Sequence, residues 1–341
     1  MNDENSPLLT IAVPTYNGSK TIGFMMDILM PQINDKIEVL ISDNASNDGT
    51  DKIVESYIEK YPFIKYIRNK KNVGADENFL QCMQMATGKF CMMISDDDIL
   101  VENSVEKIIR FLQKYPNVSL AYLETVGFKD KYEGVDNCFR YKKKFSPIVE
   151  KNICTNNKDT FLKYAQRFFA FTSTFIWSTK RFKEIKNPQK FFGTYFLQGY
   201  IQVMCSCNDD DLLGIIKGPI VAVGEYGIIG NYDLALVEGI YNQKLIKYAS
   251  KIGGYNYKRL ENYYVWKICH LGRIVIIKER VAGVKNISII NLLKCSYKYP
   301  KVWITLYPFL LIPTPICKFA FYVKHKMQGR DVKTYVNRPT N

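Results

Sequence analysis

Short apolar runs alternate with segments of helical periodicity over the first 124 residues of the chain. The apolar runs cover residues 8–16, 37–43, 64–69, 89–95 and 118–124. The segments between them predict helices over 20–32, 50–61, 75–88 and 104–115, the second capped by Thr50 and the last by Asn103 in a capping box with Glu106. Continuous apolar strands that alternate with helices are typical of a parallel sheet covered by helices. The sequence therefore predicts an α/β fold with a doubly wound, mostly parallel sheet.

Polar loops follow four of these strands directly. They are "PTYNG" at 14–18, "SDNASNDG" at 42–49, "NKKNVGADEN" at 69–78 and "SDDD" at 95–98. Because such sheets bind ligands beyond the carboxyl ends of their strands, we expect the four loops to meet in one crevice. The sequence has no G-x-G-x-x-G after the first strand and no G-x-x-x-x-G-K-[ST], which excludes the two commonest nucleotide-binding loops.

The stretch "GKFCMMISDDDIL" runs a nearly all-apolar strand into three consecutive aspartates. Neighbouring like charges repel one another, so a solvated surface turn is one explanation of the cluster. A divalent cation is the other, because Mg²⁺ or Mn²⁺ held by one or two carboxylates keeps coordination positions open for phosphate oxygens. The convergence of the four loops favours a Mn²⁺ or Mg²⁺ site beside a diphosphate.

Charge and composition exclude several other kinds of site. The net charge is +14, and residues 241–341 hold 19 of the 47 Lys and Arg but 3 of the 33 Asp and Glu. His270 and His325 are the two histidines of the chain, which excludes a His-based nucleophile triad and leaves a carboxylate as the expected general base. Nine cysteines without a C-x-x-C pair indicate a reducing compartment, not a zinc site. The first residues lack the pattern of a signal peptide, so a cytoplasmic location is expected.

Four stretches resemble the motifs of family 2 glycosyltransferases of the GT-A fold. They are "TIAVPTYNG", "VLISDNASNDGT", "NVGADENFLQCMQMATGKF" and "ISDDDIL", in this order across residues 8–100. The N-x-G-x-D-x-N pattern is similar to that of the abequosyltransferase-like branch, which includes bacterial capsule and O-antigen enzymes. The resemblance implies an inverting hexosyl- or deoxyhexosyltransferase that moves a sugar from a nucleotide-diphosphate sugar to a glycan or lipid-linked saccharide in surface polysaccharide synthesis.

The resemblance also implies a set of donor-binding residues. Asp43 would accept a hydrogen bond from the nucleobase, and Asp96 would contact the ribose. The nucleoside pocket would be lined by Pro14, Thr15, Tyr16 and Asn17, and the base and ribose would be bordered by Asn72, Gly74, Asp76 and Asn78. Two of these have a simpler explanation, since Asn78 is also an ordinary polar residue inside a helix and Gly74 an ordinary turn glycine.

The metal-binding carboxylate depends on how the motif is aligned. Read as D-x-D, the cluster puts Asp98 on the metal, whereas alignment with the family ending "D-S-D-D-L-L" places Ser95 at the first Asp and Asp97 on the metal. Asp97 is the preferred ligand and the residue whose loss is expected to abolish transfer. Asp98 stays the alternative.

The catalytic base and the acceptor contacts are implied less directly. Relatives carry the base carboxylate at a helix start about a hundred residues past the aspartates, where "FFGTYFLQGYIQVM" offers Gln198 instead. Asp209 in "CNDDDLLG" is a second candidate, although a solvated loop also explains it. The stretch "AFTSTFIWSTKRF" resembles the acceptor-side loop, in which Thr172 and Ser173 would hold acceptor hydroxyls, but a buried strand explains it equally well.

The predicted domain division is a GT-A catalytic domain over 1–235 and a helical, basic and aromatic extension over 236–341. Within the first, residues 1–125 form the nucleotide-sugar half and 126–235 the acceptor half. The run "VWITLYPFLLIPTPICKFAFYV" at 302–323 has membrane length, but Pro308, Pro313, Pro315 and Lys318 interrupt it. Its aromatic and basic residues favour peripheral binding to the inner membrane surface, where a polyprenyl-linked acceptor would lie, and a helical cap on the catalytic domain is the alternative.

The sequence also bears on three other functions. A nucleic-acid-binding protein is disfavoured, because the basic excess lies in an apolar tail and no nucleic-acid-binding motif is visible. A sugar-nucleotide pyrophosphorylase needs a glycine-rich basic loop that "PTYNGSK" does not provide. A catalytically inactive glycan- or nucleotide-sugar-binding relative remains the alternative, since the expected base carboxylate is missing.

Overall fold

The computed structural model describes residues 6–129, 131–141, 147–167, 169–224, 233–282 and 287–327, with backbone alone at 278–280, 282, 324, 325 and 327. The chain divides into two compact units. Unit 1 comprises Met1–Tyr226 and Tyr248–Asn256, and unit 2 comprises Gly227–Lys247 and Tyr257–Asn341. The assignment of donor and acceptor halves within the first unit stays a prediction.

Unit 1 is built on a mixed sheet of nine strands in the described residues. They are β1 Leu9–Thr15, β2 Ile37–Asp43, β3 Lys65–Arg68, β4 Phe90–Met93, β5 Ile99–Leu100, β6 Val118–Phe128, β7 Ile153–Thr155, β8 Phe175–Ser178 and β9 Leu212–Gly224. The spatial order is β3-β2-β1-β4-β8-β6-β9-β5, and β7 pairs with β9. β1 to β4 pair in parallel, and β6 pairs in parallel with β9. β8 runs antiparallel to both of its neighbours.

Helices cover this sheet, and the spacing of their apolar residues explains why they pack on it. The helices of unit 1 are α1 Ile22–Leu29, α2 Thr50–Lys60, α3 Ala75–Met85, α4 Ser104–Lys114, α5 Lys158–Ala165, α6 Thr179–Lys183 and α7 Leu197–Met204. α1 buries Ile22, Met25, Met26 and Leu29, which share one face at helical spacing. Every residue of β1 and β2 is buried, which requires the continuous apolar runs seen in the sequence.

The parallel register brings the ends of the first strands together. Thr15 lies opposite Asp43 in the β1–β2 ladder. Backbone hydrogen bonds continue past the strand ends, from Asn44 N to Thr15 O at 2.9 Å and from Asn69 N to Asp43 O at 2.8 Å. Ile94 N donates to Ala12 O at 2.9 Å on the other side of β1. The loops after β1, β2, β3 and β4 therefore start at the same edge of the sheet, as predicted.

β9 begins at the opposite edge. It runs parallel to β6, which is antiparallel to β8, which is in turn antiparallel to β4. β9 therefore has the same direction as β4, and its first residue, Leu212, lies where β4 starts. The buried hydrogen bond from Ser119 Oγ to Asp211 Oδ1, at 2.9 Å, agrees with this placement, since Ser119 is near the start of β6.

Several predicted boundaries differ from the structure. α3 ends at Met85, before the predicted end at 88, because the backbone leaves the helical conformation at Ala86 (φ −59°, ψ 125°). The N-cap of α2 is Gly49, with Thr50 as its first helical residue. Asn103 is the N-cap of α4, but its backbone is left-handed (φ 63°) and its side chain makes no capping hydrogen bond, so the predicted capping box is wrong.

Unit 2 is helical in its described residues. A π-helix, Ala235–Tyr241, precedes α8 Asn242–Lys251, α9 Tyr257–Ala282, α10 Ile289–Ser296, α11 Pro300–Thr305, α12 Tyr307–Leu311 and α13 Thr314–Met327. α8 passes into unit 1 at Tyr248. Asp233 accepts hydrogen bonds from Asn291 Nδ2 at 2.7 Å and Ser288 N at 3.2 Å, which fixes the start of α10. The helical character predicted for the extension is therefore confirmed, and its predicted bounds of 236–341 stay a prediction.

The last helices of unit 2 expose apolar side chains. Ile316, Phe319 and Tyr322 are 50–69% exposed and share one face of α13, while Cys317 and Phe321 are buried on the other. Ile304 and Leu311 are 76% and 84% exposed. In the described chain, no single helix has the length and apolar character to cross a membrane; Pro300–Leu311 and Thr314–Val323 meet the criteria jointly but are bent by 98°.

Candidate active site

Thr15, Gly18 and Asp96 join the loop after β1 to the loop after β4. The Thr15 hydroxyl donates a hydrogen bond to Asp96 Oδ2. Gly18 packs so closely on this pair that a Cβ at position 18 would lie 2.1 Å from Asp96 Oδ2. Glycine is therefore required there by space, and the Asp96 carboxylate is held against the "PTYNG" loop.

Asp98 faces the interior of the protein. It is 2% exposed, and its Oδ2 accepts a hydrogen bond from Ser173 Oγ at 2.6 Å while its Oδ1 accepts one from Gly224 N at 3.1 Å. Ser173 in turn accepts from Ser95 N at 3.0 Å. Both oxygens of Asp98 are thus occupied within the protein, which argues against the D-x-D alignment that puts this residue on a metal.

Asp97 differs from its two neighbours. Like Asp96 it is partly exposed, but its carboxylate hydrogen-bonds to no other residue in the part of the chain that the structure describes. Burial raises the pKa of all three aspartates, to about 7 for Asp96 and about 8 for Asp98, and the charge of Asp97 adds to the rise in both. A bound cation would relieve this repulsion, and Asp97 is the carboxylate left open to it.

The donor set suits one class of metal. No group of three His, Cys, Asp or Glu side chains within the described residues has the arrangement to hold a metal by itself. Mg²⁺ and Mn²⁺ do not need such a cage, because they bind through one or two carboxylates together with substrate phosphates. Asp97, with Asp96 beside it, fits that mode.

Asp43 ends β2 and is fully buried. Its Oδ1 accepts hydrogen bonds from Ser46 N at 2.8 Å and Ser46 Oγ at 2.6 Å. Its Oδ2 accepts one from the Tyr66 hydroxyl at 2.9 Å and lies 3.6 Å from Arg68 Nε. These contacts organise the loop after β2, and the predicted contact of Asp43 with a nucleobase stays a prediction.

The loops after β1 and β2 are bonded to each other. Asn17, with φ 55°, donates through its backbone N to Ser46 Oγ at 2.9 Å and accepts from Asn47 N through Oδ1 at 2.9 Å. Ser19 N donates to Asp48 Oδ2 at 3.0 Å. Burial by itself raises the pKa of Asp48. Hydrogen bonds from Thr50 and Ser19 outweigh burial and lower this pKa to about 2. Tyr16, next to this junction, is 50% exposed, whereas Pro14 is buried in β1.

Asn44 joins the loop after β2 to the loop after β3. Its Oδ1 accepts from Val73 N at 2.9 Å and Asn69 Nδ2 at 3.1 Å, and its Nδ2 donates to Asn72 Oδ1 at 2.9 Å. Asn72 Oδ1 also accepts from Gly74 N at 2.8 Å. Asn72 therefore holds the shape of the loop in which it was predicted to border the donor.

Gly74 and Asn78 start α3. Gly74 is the N-cap of α3 and has φ 90°, a backbone conformation that favours glycine. Asn78 is buried, accepts from Ser42 Oγ at 2.6 Å and donates to Ser42 O at 3.1 Å. These two hydrogen bonds hold α3 on β2, which agrees with Asn78 as an ordinary polar residue inside a helix. Asp76 accepts a hydrogen bond from Gly193 N at 2.7 Å.

Gln198 lies at the start of α7. Its Nε2 donates to Tyr195 O at 3.2 Å, and its Oε1 is buried without a hydrogen-bond partner in the described structure. An amide has no lone pair basic enough to take a proton from a hydroxyl, so Gln198 does not replace a carboxylate base.

Two other predicted contacts lie elsewhere. Asp209 is exposed just before β9, at the edge of the sheet opposite to Asp96–Asp98, so its assignment as a base of this site is wrong. Asp209 is close to α7 in the sequence, but this closeness does not determine the direction of β9, which follows Asp209. Ser173 is fully buried with Asp98 and Ser95 as partners, so its hydroxyl has a structural role. Thr172, next to it in a 3₁₀ turn, stays a predicted acceptor contact.

Sequence reasoning missed Gly18, Asn44, Ser46 and Tyr66. The first three lie in the quoted loops, but each contacts a residue of another loop, namely Asp96, Val73 and Asn17 respectively. Tyr66 looked like an ordinary residue of an apolar strand. No local pattern marks these contacts, since each depends on strand order and register.

A family model, Glycosyl transferase family 2, matches residues 10–198, which is more than half of the chain. The chain belongs to glycosyl transferase family 2. The family 2 match covers all four loops of the carboxyl edge and ends at Gln198.

Individual relatives match over different lengths of the chain. Abequosyltransferase RfbV of Salmonella typhimurium is 27% identical over 223 residues, 63% of this chain and 66% of that protein. An uncharacterized glycosyltransferase of Mycoplasma pneumoniae is 33% identical over 104 residues, 30% of this chain and 35% of that protein. The chain thus matches somewhat under two thirds of the first relative and about a third of the second. The predicted resemblance to family 2 and its abequosyltransferase-like branch is confirmed.

Solved structures show the same fold. S. aureus TarS 1–349 in complex with UDP aligns with a TM-score of 0.55 at 13% identity, over 95% of this chain and 92% of that chain. TarS 1–349 without that ligand aligns with a TM-score of 0.54 at 14% identity and the same coverage. The likeness concerns the fold and confirms the predicted α/β GT-A architecture.

Proposed function

We propose that this family 2 chain is a metal-assisted, inverting glycosyltransferase that uses a nucleotide-diphosphate sugar. The observation that carries the proposal is the Asp97 carboxylate, partly exposed and without a hydrogen bond from another described residue, beside the Asp96–Thr15–Gly18 contact at the carboxyl edge of the sheet. Family membership, the relation to an abequosyltransferase and the UDP complex of TarS support a nucleotide-sugar donor.

Different residues at the carboxyl edge would bind different parts of the donor. Tyr16 offers an exposed ring next to the Asn17–Ser46 junction, which suits a nucleobase. Asp97, with Asp96, would hold Mn²⁺ or Mg²⁺; family 2 enzymes generally use a divalent metal ion. When bound, the ion would neutralise negative charge on the diphosphate leaving group.

The transfer itself is a substitution at the anomeric carbon. The acceptor hydroxyl oxygen forms the new bond to that carbon while the bond to the diphosphate oxygen breaks on the opposite face, and the hydroxyl proton passes to a base. Saccharide acceptors, in particular polyprenyl-linked ones of capsule or O-antigen synthesis, are proposed by analogy with the relatives. A hexosyl or deoxyhexosyl donor is proposed on the same basis.

Substitution of Asp97 tests the donor site. A thermal-shift series with UDP-, GDP-, CDP- and dTDP-sugars, each with Mn²⁺ or Mg²⁺, should show one nucleotide class that raises the melting temperature of the wild type. Asp97→Asn should remove that rise. Asp209→Asn is the matched control, because it changes an exposed aspartate at the opposite edge of the sheet and should keep it. Equal shifts in both variants would refute the assignment of Asp97.

An inactive nucleotide-sugar-binding relative is the second candidate. It is favoured by the absence of a carboxylate in "FFGTYFLQGYIQVM" and by the amide of Gln198 at the start of α7. Hydrolysis of the bound nucleotide sugar separates the two, since an enzyme of this kind releases sugar slowly to water. Tight binding without any release of sugar, with Mn²⁺ present, would select the inactive relative.

We further propose that unit 2 binds the inner surface of the membrane peripherally. The exposed faces of α11–α13 carry Trp303, Ile304 and Phe319. Exposed Lys301 and Lys318 lie on the same helices, and exposed Lys294 lies on α10. Burying one such apolar side chain is worth about 1.5–3 kcal/mol, and a basic residue near anionic lipid adds about 1 kcal/mol.

Vesicle flotation tests this. The protein should float with phosphatidylglycerol-containing vesicles at low salt and be released by high salt, but not float with pure phosphatidylcholine. Phe319→Ser should weaken flotation, and Phe63→Ser, which removes a 53% exposed ring of unit 1, should not. Absence of flotation at low salt, or equal loss in both variants, would refute the membrane proposal.

A further inference from the structure

Asp76 connects two parts of unit 1 that are far apart in the sequence. It is the second residue of α3 and directly follows the Asn72–Gly74 loop. Its Oδ2 accepts a hydrogen bond from Gly193 N at 2.7 Å, across 117 residues of chain. A backbone N–H that donates to a carboxylate is among the stronger hydrogen bonds, so this contact is a firm link between the two segments.

The segment at Gly193 leads directly into α7. Gly193 and Tyr195 have left-handed backbones, with φ 73° and 62°. Thr194 N donates to Phe191 O at 3.2 Å, which closes the turn, and Gln198 Nε2 donates to Tyr195 O at 3.2 Å, which joins it to α7. Tyr195 is 54% exposed on this turn. The position of α7's first residues therefore depends on where the Gly193 turn is held.

The other end of the link is fixed as well. Asn44 and Asn72 tie the loop before Asp76 to the end of β2, and Asn78 ties α3 to β2. Burial raises the pKa of Asp76, while the bond from Gly193 opposes the rise. Partial burial of the charged Asp76 side chain costs free energy. Within the described residues, the hydrogen bond from Gly193 N compensates for that cost.

The geometry points to Asp76 as a positioning residue that holds the acceptor-side turn, Phe191–Tyr195, and the start of α7 against the donor-side loop, Asn72–Gly74. The inference rests on the proposed function and on the predicted acceptor half, residues 126–235, in which this turn lies. The motif predicts that Asp76 borders the donor base and ribose. The positioning role replaces that expectation. Donor affinity would then depend little on Asp76, whereas the transfer of sugar to an acceptor would depend on it.

Hydrogen exchange gives a test that does not require activity. In the full chain, Asp76→Ala should speed amide exchange in the peptide that covers 191–196 by about tenfold, the effect of losing one hydrogen bond of this kind. Asp76→Asn should retain most of the protection, because the amide oxygen still accepts from Gly193 N. Glu77→Ala, at the exposed neighbouring position, is the matched control and should leave the exchange unchanged.

Kinetics then separate positioning from donor contact. With the nucleotide sugar selected by thermal shift and methyl glycosides as acceptor probes, Asp76→Ala should keep the donor Kd within about twofold and lower the ratio of transfer to hydrolysis by about tenfold or more. Asp76→Asn should restore that ratio.

The outcomes distinguish the inference from the function on which it rests. Unchanged exchange at 191–196 in Asp76→Ala, or a weakened donor Kd with an unchanged ratio, would overturn the positioning role. Faster exchange in Asp76→Ala, together with a wild type that binds no nucleotide sugar, would support the link and overturn the proposed function instead.

Discussion

An alanine at position 18 is the smallest change that tests whether the loop after β1 and Asp96 form one packed unit. The added Cβ would lie 2.1 Å from Asp96 Oδ2 and 2.5 Å from Thr15 Oγ1. Ordinary contact begins at 3.4 Å, so the carboxylate has to move by about 1.3 Å. A movement of that size separates Asp96 from the Thr15 hydroxyl.

The energetic cost has two parts. A hydrogen bond to a charged group contributes about 1.5–3 kcal/mol, and overpacking of a closed site costs about 1–3 kcal/mol. Because both contacting groups are side chains that relax in part, we expect Gly18→Ala to lower the free energy of unfolding by about 2–4 kcal/mol. We expect the Kd of the nucleotide sugar in Mn²⁺ to rise by at least about tenfold, since each 1.4 kcal/mol is a factor of ten.

Urea denaturation and calorimetric titration measure the two effects. Gly23→Ala, five positions later, is the control, because its Cβ would meet nothing closer than Ile53 Cγ2 at 3.5 Å. Gly23 lies within α1, where alanine is favoured over glycine, so this variant should be neutral or up to about 1 kcal/mol more stable. If Gly18→Ala unfolds within about 0.5 kcal/mol of the wild type and binds the donor equally well, the packing argument fails.

Three further results are expected. Tyr16→Ala should weaken nucleotide binding by about 1–3 kcal/mol in titrations, the worth of one base stacked on a ring, and an unchanged Kd would exclude stacking there. Asn44→Ala should destabilise the protein by about 1–3 kcal/mol in urea, because Val73 N loses its buried partner; a neutral change would mean that the loop re-forms without it. The native protein binds more protons than the unfolded chain between about pH 4 and the raised pKa values of Asp96 and Asp98, about 7 and about 8, so stability should fall as pH rises through that window. Mn²⁺ should stabilise more at pH 8 than at pH 5, and melting curves that respond equally to Mn²⁺ at both values would contradict the cation site.

The first half of the fold was predictable because its information is local. Each of β1, β2 and β4 is a short, mostly apolar run, and such a run is recognisable without knowledge of its partners. Parallel pairing of β1 with β2 and with β4 then places "PTYNG", "SDNASNDG" and "SDDD" at one edge. The position of the acidic cluster at this edge of the sheet follows from these two observations alone.

The rest of the site depends on pairing between distant residues. Nothing within Phe175–Ser178 indicates that it inserts as β8 between β4 and β6, which reverses the local strand direction. The direction of β9, and with it the place of Asp209, follows from that insertion. The choice between Asp97 and Asp98 likewise needed Ser173 and Gly224, which lie 75 and 126 residues away.

The insertion of β8 also bears on how the chain is made. A nascent polypeptide that has emerged only to residue 125 contains β4 and most of β6 but not the strand that separates them in the finished sheet. It also lacks Ser173, so the Asp98 carboxylate has no hydroxyl to bond. Long-range contacts of this kind form late and slow the folding of a domain. We therefore expect residues 1–125 alone not to form the finished sheet, and the acidic loop to become fully ordered only after translation has passed β8.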